Sequence, residues 1–261
     1  MIFAKKSLGQ NFLHSDKALR QIVEAADISP DDLIVEIGPG EGTLTEKLLA
    51  AGSKVFAIEK DDRLIPILQE KFKNEIAEQQ LILLHEDVLE SEQTKVAITQ
   101  KYKLVANIPY YITGMILKMF LSGENKPEKI VLLVQKEVAE RIVSRDGKES
   151  ILSMSVKLYG TPKIIDTVPR GAFRPVPNVD SAIILINVNK NKIERGTEEK
   201  FFITIKKAFN QKRKQIGGTI GVTDEQMQKI NKNLSSKSRP EELSVEDWLS
   251  ICGSFTDLHN N

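Results

Sequence analysis

Leu33-Ile34-Val35-Glu36-Ile37-Gly38-Pro39-Gly40-Glu41-Gly42-Thr43-Leu44-Thr45-Glu46-Lys47-Leu48-Leu49 is the stretch on which the fold turns. Residues 33–37 form a short, mostly apolar run of the kind a buried strand requires, and Gly38, Gly40 and Gly42 interrupt it. Leu44, Leu48 and Leu49 then recur at helical spacing, and Gly52 supplies a stop. Outward from this unit the alternation repeats. Residues 54–58 read as a second strand, and 61–72 as a helix with Leu64, Ile67, Leu68 and Phe72 on its apolar face. Further strands are expected over 81–84, 103–106 and 130–134, with helical stretches between. This βαβα order predicts a parallel sheet covered on both faces.

The rhythm changes after Gln135. Helices are expected over 136–143 and 151–158, then strands over 163–168 and 182–188 separated only by the Pro-rich loop 169–177. Two strands with no helix between them should pair antiparallel at the sheet edge, making a seven-stranded, doubly wound α/β sheet. From Gly196 onward the pattern is one of short helices, including 201–208 and 245–251. The polar run that begins at Asn189 sets a boundary between a domain over 1–189 and a small helical domain over 190–261.

Composition narrows the function. The 261 residues are 41% hydrophobic, enough for a sizeable core. Cys252 is the single cysteine, which excludes an internal disulfide, and with three histidines it excludes a Cys/His zinc cage; no metal is expected. Apolar runs such as 130–134 are too short to span a bilayer, and Met1-Ile2-Phe3-Ala4-Lys5-Lys6 lacks the apolar core of a secretory signal. A cytoplasmic chain is expected, and with no heptad seam, a monomer. Residues 1–189 carry 24 basic and 26 acidic side chains (−2), and 190–261 carry 13 and 10 (+3), which sum to the overall +1. Lys206, Lys207, Lys212, Arg213 and Lys214 fall within 205–215 without an acid, and Lys5, Lys6, Lys17 and Arg20 within the first twenty residues face only Asp16. Two such segments suit a polyanion; from charge alone, solvated helix faces are an equal reading.

Ligands of an open parallel sheet bind at the carboxyl ends of its strands. The first end carries Gly38 to Gly42, where backbone can approach a ligand closely and turn into a helix. Its spacing is not that of a dinucleotide fingerprint, because Thr43 takes the last glycine position and Pro39 sits inside the turn. The absence of a following Lys-Ser or Lys-Thr excludes a P-loop. At the second end Glu59 can accept from both hydroxyls of a ribose, or serve with Asp61 and Asp62 as a helix-start acid. At the third, Asp87 can accept from an adenine amino group, or merely cap a turn. The fourth end, Asn107-Ile108-Pro109-Tyr110-Tyr111, fits an amine nucleophile. An exocyclic adenine nitrogen has its lone pair delocalised into the ring. The Asn107 side-chain oxygen and the Ile108 carbonyl can each accept one of its N–H groups, with Pro109 holding the turn and Tyr110 offering a face for the base. The plain alternative is an Asn-Pro turn beside two core tyrosines.

These residues together resemble the ribosomal RNA adenine dimethyltransferases, which use S-adenosylmethionine, and the likeness runs over nearly the whole chain. Gly9-Gln10-Asn11-Phe12-Leu13 is similar to the family's N-terminal motif, which implies that Asn11 and Leu13 touch the cofactor. The glycine loop resembles the family's methionine site at Gly38 and Gly40; Glu59 and Asp87 match its ribose and adenine acids, and 107–110 its catalytic motif. Residues 135–141 and 173–181 are also similar, which implies Phe173 as a second aromatic wall for the target base. Within the family the small-subunit enzymes look closest, through Tyr111-Ile112-Thr113, residues 168–173 and the tail 239–244. The resemblance implies dimethylation of two adjacent adenosines near the 3′ end of small-subunit (16S) rRNA during ribosome biogenesis, with the small ribosomal subunit as partner. Lys5, Lys6, Lys206, Lys207, Lys212, Arg213 and Lys214 would then hold RNA phosphates. Departures lie at Lys212-Arg213-Lys214, followed here by Gln215-Ile216-Gly217-Gly218, and at 146–152, which lacks a Tyr-Gly pair. Three rivals stay open at this point: the related large-subunit enzyme of macrolide resistance, a non-catalytic RNA-binding assembly factor, and a nicotinamide oxidoreductase. The last is disfavoured by the glycine spacing.

Overall fold

A computed structural model of the chain describes residues 5, 8–90, 100–144, 147–189, 193–211 and 214–254. They divide into two compact units, Met1–Ala139 with Tyr159–Val188, and Glu140–Leu158 with Asn189–Asn261. A single cut at 189 does not reproduce this division, because 140–158 groups with the helical unit.

The first unit is built on a seven-stranded sheet. In chain order the strands are β1 (Phe12–Leu13), β2 (Leu33–Ile37), β3 (Lys54–Glu59), β4 (Leu81–His85), β5 (Lys103–Asn107), β6 (Lys129–Gln135), β7 (Gly160–Val168), β8 (Phe173–Arg174) and β9 (Ser181–Val188). The large sheet runs β4-β3-β2-β5-β6-β9-β7. Its first five strands are parallel, while β9 is antiparallel to both β6 and β7. From β2 the chain builds outward through β3 to β4, then returns to place β5 on the other side of β2. The reversal opens a crevice beyond the carboxyl ends of β2 and β5, where Ile37 stands opposite Ala106. These strands read as continuous apolar runs because both of their faces are covered: Ile34, Val35, Leu104, Val105 and Ala106 are fully buried. Each large aliphatic side chain removed from water in this way stabilises by about 1.5–3 kcal/mol.

Helix α1 (Asp16–Ala26) starts where the Ser15 side chain accepts from the Ala18 N–H, and buries Ala18, Leu19, Ile22 and Ala26. Helix α2 (Thr43–Ala50) follows the glycine turn. The helix expected from residue 61 begins later, as α3 (Ile65–Lys71), because Pro66 is accommodated only in a first turn; α4 (Lys73–Ala77) continues it. Helix α5 (Thr113–Ser122) leads to β6, and α6 (Lys136–Val143) leaves it. A second, two-stranded sheet pairs β1 with β8, Leu13 opposite Phe173.

The regular elements of the second unit, among its described residues, are all helices: the end of α6, then α7 (Ile151–Lys157), α8 (Arg195–Phe209), α9 (Ile216–Ile220), α10 (Asp224–Ile230) and α11 (Val245–Ser254). Phe201, Ile205, Ala208 and Phe209 of α8 are buried, as are Trp248, Ile251 and Cys252 of α11. The grouping of 140–158 with this unit has a physical basis. Helix α7 lies against α8, burying Ser153, Met154 and Val156, and the Glu149 N–H donates to the Glu241 carbonyl at 2.8 Å. No helix among the described residues is long and apolar enough to cross a membrane.

Candidate active site

The turn after β2 is shaped by positive backbone angles, φ being +66° at Gly38 and +75° at Gly42. A Cβ built on Gly38 meets nothing within 4 Å, so the missing side chain leaves open space in front of the strand. One on Gly42 would lie 2.5 Å from Phe72 Cε2, so this glycine serves packing rather than a ligand. Glu59 closes the far side of the turn. It is 5% exposed, its Oε2 accepts from the Gly40 N–H at 3.1 Å, and its Oε1 accepts from the Asp61 N–H at 2.8 Å. Burial pushes the Glu59 carboxyl upward, and these backbone donors pull against it. Beneath the turn the Glu36 carboxyl is sealed from water, accepts from Thr45 Oγ1 at 2.7 Å, and is pushed up to about 8 by burial.

Asp87 follows β4. Burial lifts its carboxyl, but the ion pair with Lys60 and the Leu89 N–H on its Oδ1 at 3.0 Å outweigh that and hold it below the usual range. Asn107 ends β5. Its Nδ2 donates to the Asn11 carbonyl at 3.3 Å, which leaves Oδ1 as the acceptor of that amide. Beyond it Ile108 is buried, and Pro109 (φ −57°, ψ 133°) opens a short 3₁₀ turn over Tyr110–Ile112. The Pro109 carbonyl accepts from the Ile112 N–H and the Tyr110 carbonyl from Thr113 Oγ1, which fixes the turn. Tyr110 is half-buried, and its hydroxyl lies 2.7 Å from Ser181 Oγ at the start of β9; burial raises that hydroxyl.

Residues 8–13 form the remaining wall. Gln10 Nε2 donates to Asp61 Oδ2 at 2.7 Å, Thr43 Oγ1 donates to the Leu13 carbonyl at 3.2 Å, and the His14 N–H donates to the Ala172 carbonyl at 2.9 Å. Arg63, followed by Gln10, holds the Asp61 carboxyl far below the ordinary carboxylate range. One cavity is lined by residues 8–13, 36–41, 43, 44, 58–60, 86–89 and 107–112.

That cavity brings together Asn11, Leu13, Gly38, Gly40, Glu59, Asp87 and the four residues 107–110, drawn from the ends of four parallel strands and the N-terminal segment. Phe173 is not among its walls. It is 1% exposed and belongs to the main apolar core with Leu13 and Ile183, because β8 pairs with β1 and turns the ring inward. Phe173 therefore does not reach the cavity that gathers the other expected residues. Among the expected phosphate ligands, Lys5, Lys206, Lys207 and Lys214 are exposed, the middle two on α8; Lys6, Lys212 and Arg213 lie outside the described residues. Sequence reasoning gave no role to Gln10 or Ser181, and offered Asp61 only as a helix-start acid. Their partners stand 51 and 71 residues away, and no local pattern announces such bonds.

The set suits a nucleoside that carries a charged tail. A buried carboxylate faces the cavity near two backbone donors, a second acid stands at the next strand end, and a side-chain-free turn lies between them and Asn107. Comparison with known proteins agrees with this architecture. The family described as ribosomal RNA adenine dimethylase matches residues 2–257. A ribosomal RNA small subunit methyltransferase A of Dehalococcoides mccartyi is 39% identical, with 97% of this chain and 89% of that protein covered. That of Fusobacterium nucleatum subsp. nucleatum is 38% identical, with 96% and 97% covered. Among solved structures, the 23S rRNA methyltransferase ErmE superimposes with a TM-score of 0.78 at 25% identity, covering 94% of this chain and 99% of that one. A dimethyladenosine transferase from Plasmodium falciparum gives 0.75 at 25%, covering 92% and 95%. The Rossmann-like sheet is therefore that of these methyltransferases.

Proposed function

The chain belongs to the ribosomal RNA adenine dimethylase family, and from that membership we propose that it takes methyl groups from S-adenosylmethionine and places two on N6 of each of two adjacent adenosines near the 3′ end of small-subunit rRNA. The observation that carries this reading is the Asn107 turn. With Nδ2 engaged by the Asn11 carbonyl, the side-chain oxygen is left for an incoming amine, and it does so at the rim of the glycine-lined cavity.

Each residue then has a definite task. Glu59 would accept the ribose hydroxyls of the cofactor and Asp87 its adenine amino group, and the open space at Gly38 would take its amino-acid end, with Gly40 lining the turn beside it; Asn11 and Leu13 would close the cavity from the N-terminal side. When bound, S-adenosylmethionine supplies a methyl group already activated on a sulfonium. Asn107 Oδ1 and the Ile108 carbonyl accept the two N–H groups of the adenine amine and draw its lone pair out of conjugation as positive charge develops. Tyr110, its hydroxyl held by Ser181, supports the unstacked base. No side chain needs to be a strong base, because the methylated ammonium releases its proton to water. Lys5, Lys6, Lys206, Lys207, Lys212, Arg213 and Lys214 hold RNA phosphates.

Asn107→Ala tests the assignment. Methyl transfer to unmethylated small subunits should fall about 10²–10³-fold, the loss typical of removing one preorganised polar group, while cofactor affinity in calorimetry stays nearly unchanged. Undiminished turnover would refute the role. The likeness to ErmE keeps a large-subunit reading in view, and the 37–40% identity to small-subunit relatives favours the first. A non-catalytic binding factor would have no use for an amide positioned by its Nδ2 at this cavity.

A further inference from the structure

We infer that Tyr111 is a stacking platform for the nucleotide adjacent to the target adenosine, and so a residue that positions the RNA strand. The inference rests on the RNA substrate proposed above. Two tyrosines stand side by side in the turn over Tyr110–Ile112 and have opposite surroundings. Tyr110 is half-buried with its hydroxyl on Ser181, whereas Tyr111 lines the same cavity yet is 61% exposed. Exposure of a single aromatic ring is ordinary; what sets Tyr111 apart is where its exposed face lies. The ring does not hang free. A Cβ at Gly9 would stand 3.2 Å and 3.3 Å from its Cε1 and Cδ1 and 3.4 Å from Pro109 Cβ, so the ring rests against the glycine backbone in a seat that a side chain at position 9 would crowd. Met115, four residues on and 47% exposed, extends the apolar surface by one helical turn, and a Cβ at Gly114 would meet only open space.

A held aromatic face in the cavity wall next to Asn107 and Tyr110 matches what a strand needs beside its target base. Delivering one nucleotide inward obliges its neighbour to leave the stack as well, and an exposed ring replaces the lost contact. Because every base has a π-face, such a platform tolerates any neighbour but rewards its stacking.

The test uses the full chain and hairpin oligoribonucleotides copying the unmethylated 3′ end of small-subunit rRNA, with 2-aminopurine in turn at the target position and at each flanking position. Tyr111→Ala should weaken RNA binding by about 5- to 150-fold, the range of one lost base–aromatic stack. At one flanking position it should raise 2-aminopurine fluorescence in the complex. Tyr111→Phe should rescue the quenching, since the face and not the hydroxyl is used. The inference is overturned if Tyr111→Ala leaves the flanking probes as quenched as in wild type, or if its loss of RNA affinity is matched by an equal loss of S-adenosylmethionine affinity. A wild-type chain that transfers no methyl to RNA would instead overturn the proposed function, which separates the two failures.

Discussion

A carboxyl group sealed inside a parallel sheet has to give up its charge or find a partner, and Glu36 accepts from the Thr45 hydroxyl. Its proton is therefore retained to about 8, against 4.5 for an unperturbed glutamate, because burial dominates. Between those values the folded chain holds a proton that the unfolded chain releases. The stability Glu36 contributes is thus complete below 4.5 and is lost as pH rises toward about 8. Glu36→Gln should flatten that part of the thermal-unfolding profile between pH 5 and 8 relative to wild type; parallel profiles would show that Glu36 is ionised in the folded state. Residues such as Glu59 and Asn107 were legible because a polar side chain at a strand end is conspicuous beside apolar neighbours. The burial of Phe173 was not, since it rests on pairing with β1, whose two residues carry no periodicity. The Tyr110–Ser181 bond spans 71 residues and left no local trace.

At the scale of elements, the five parallel strands and the helix after the glycine turn could be read directly, because strands buried on both faces are continuous apolar runs. The two-residue strands β1 and β8 could not, since two residues carry no periodicity. The joint between β2 and α2 depends on Gly42, whose φ of +75° and closeness to Phe72 and Leu68 leave no room for a side chain. Gly42→Ala should destabilise the chain by about 1–3 kcal/mol through strain and overpacking, a drop of several degrees in melting temperature. An unchanged melting temperature would mean that Phe72 moves aside freely and that the turn does not rely on that packing.

For the molecule as a whole, the parallel sheet and the antiparallel pair at its edge followed from where helices intervene and where they do not, while the order of the strands did not. The grouping of 140–158 with the helical unit did not, because it rests on α7 packing against α8 and on a backbone bond from Glu149 to Glu241, 92 positions later in the chain. Lys206 and Lys207 of α8 are exposed, as contact with the proposed polyanion requires. The identity of that polyanion decides the account, and one measurement reaches it directly: radiolabelled methyl transfer from S-adenosylmethionine to purified small and large ribosomal subunits lacking the modification, followed by nucleoside analysis. The account predicts label in N6,N6-dimethyladenosine from the small subunit, with the large subunit unlabelled. Label confined to the large subunit, or none in adenosine from either, would contradict it.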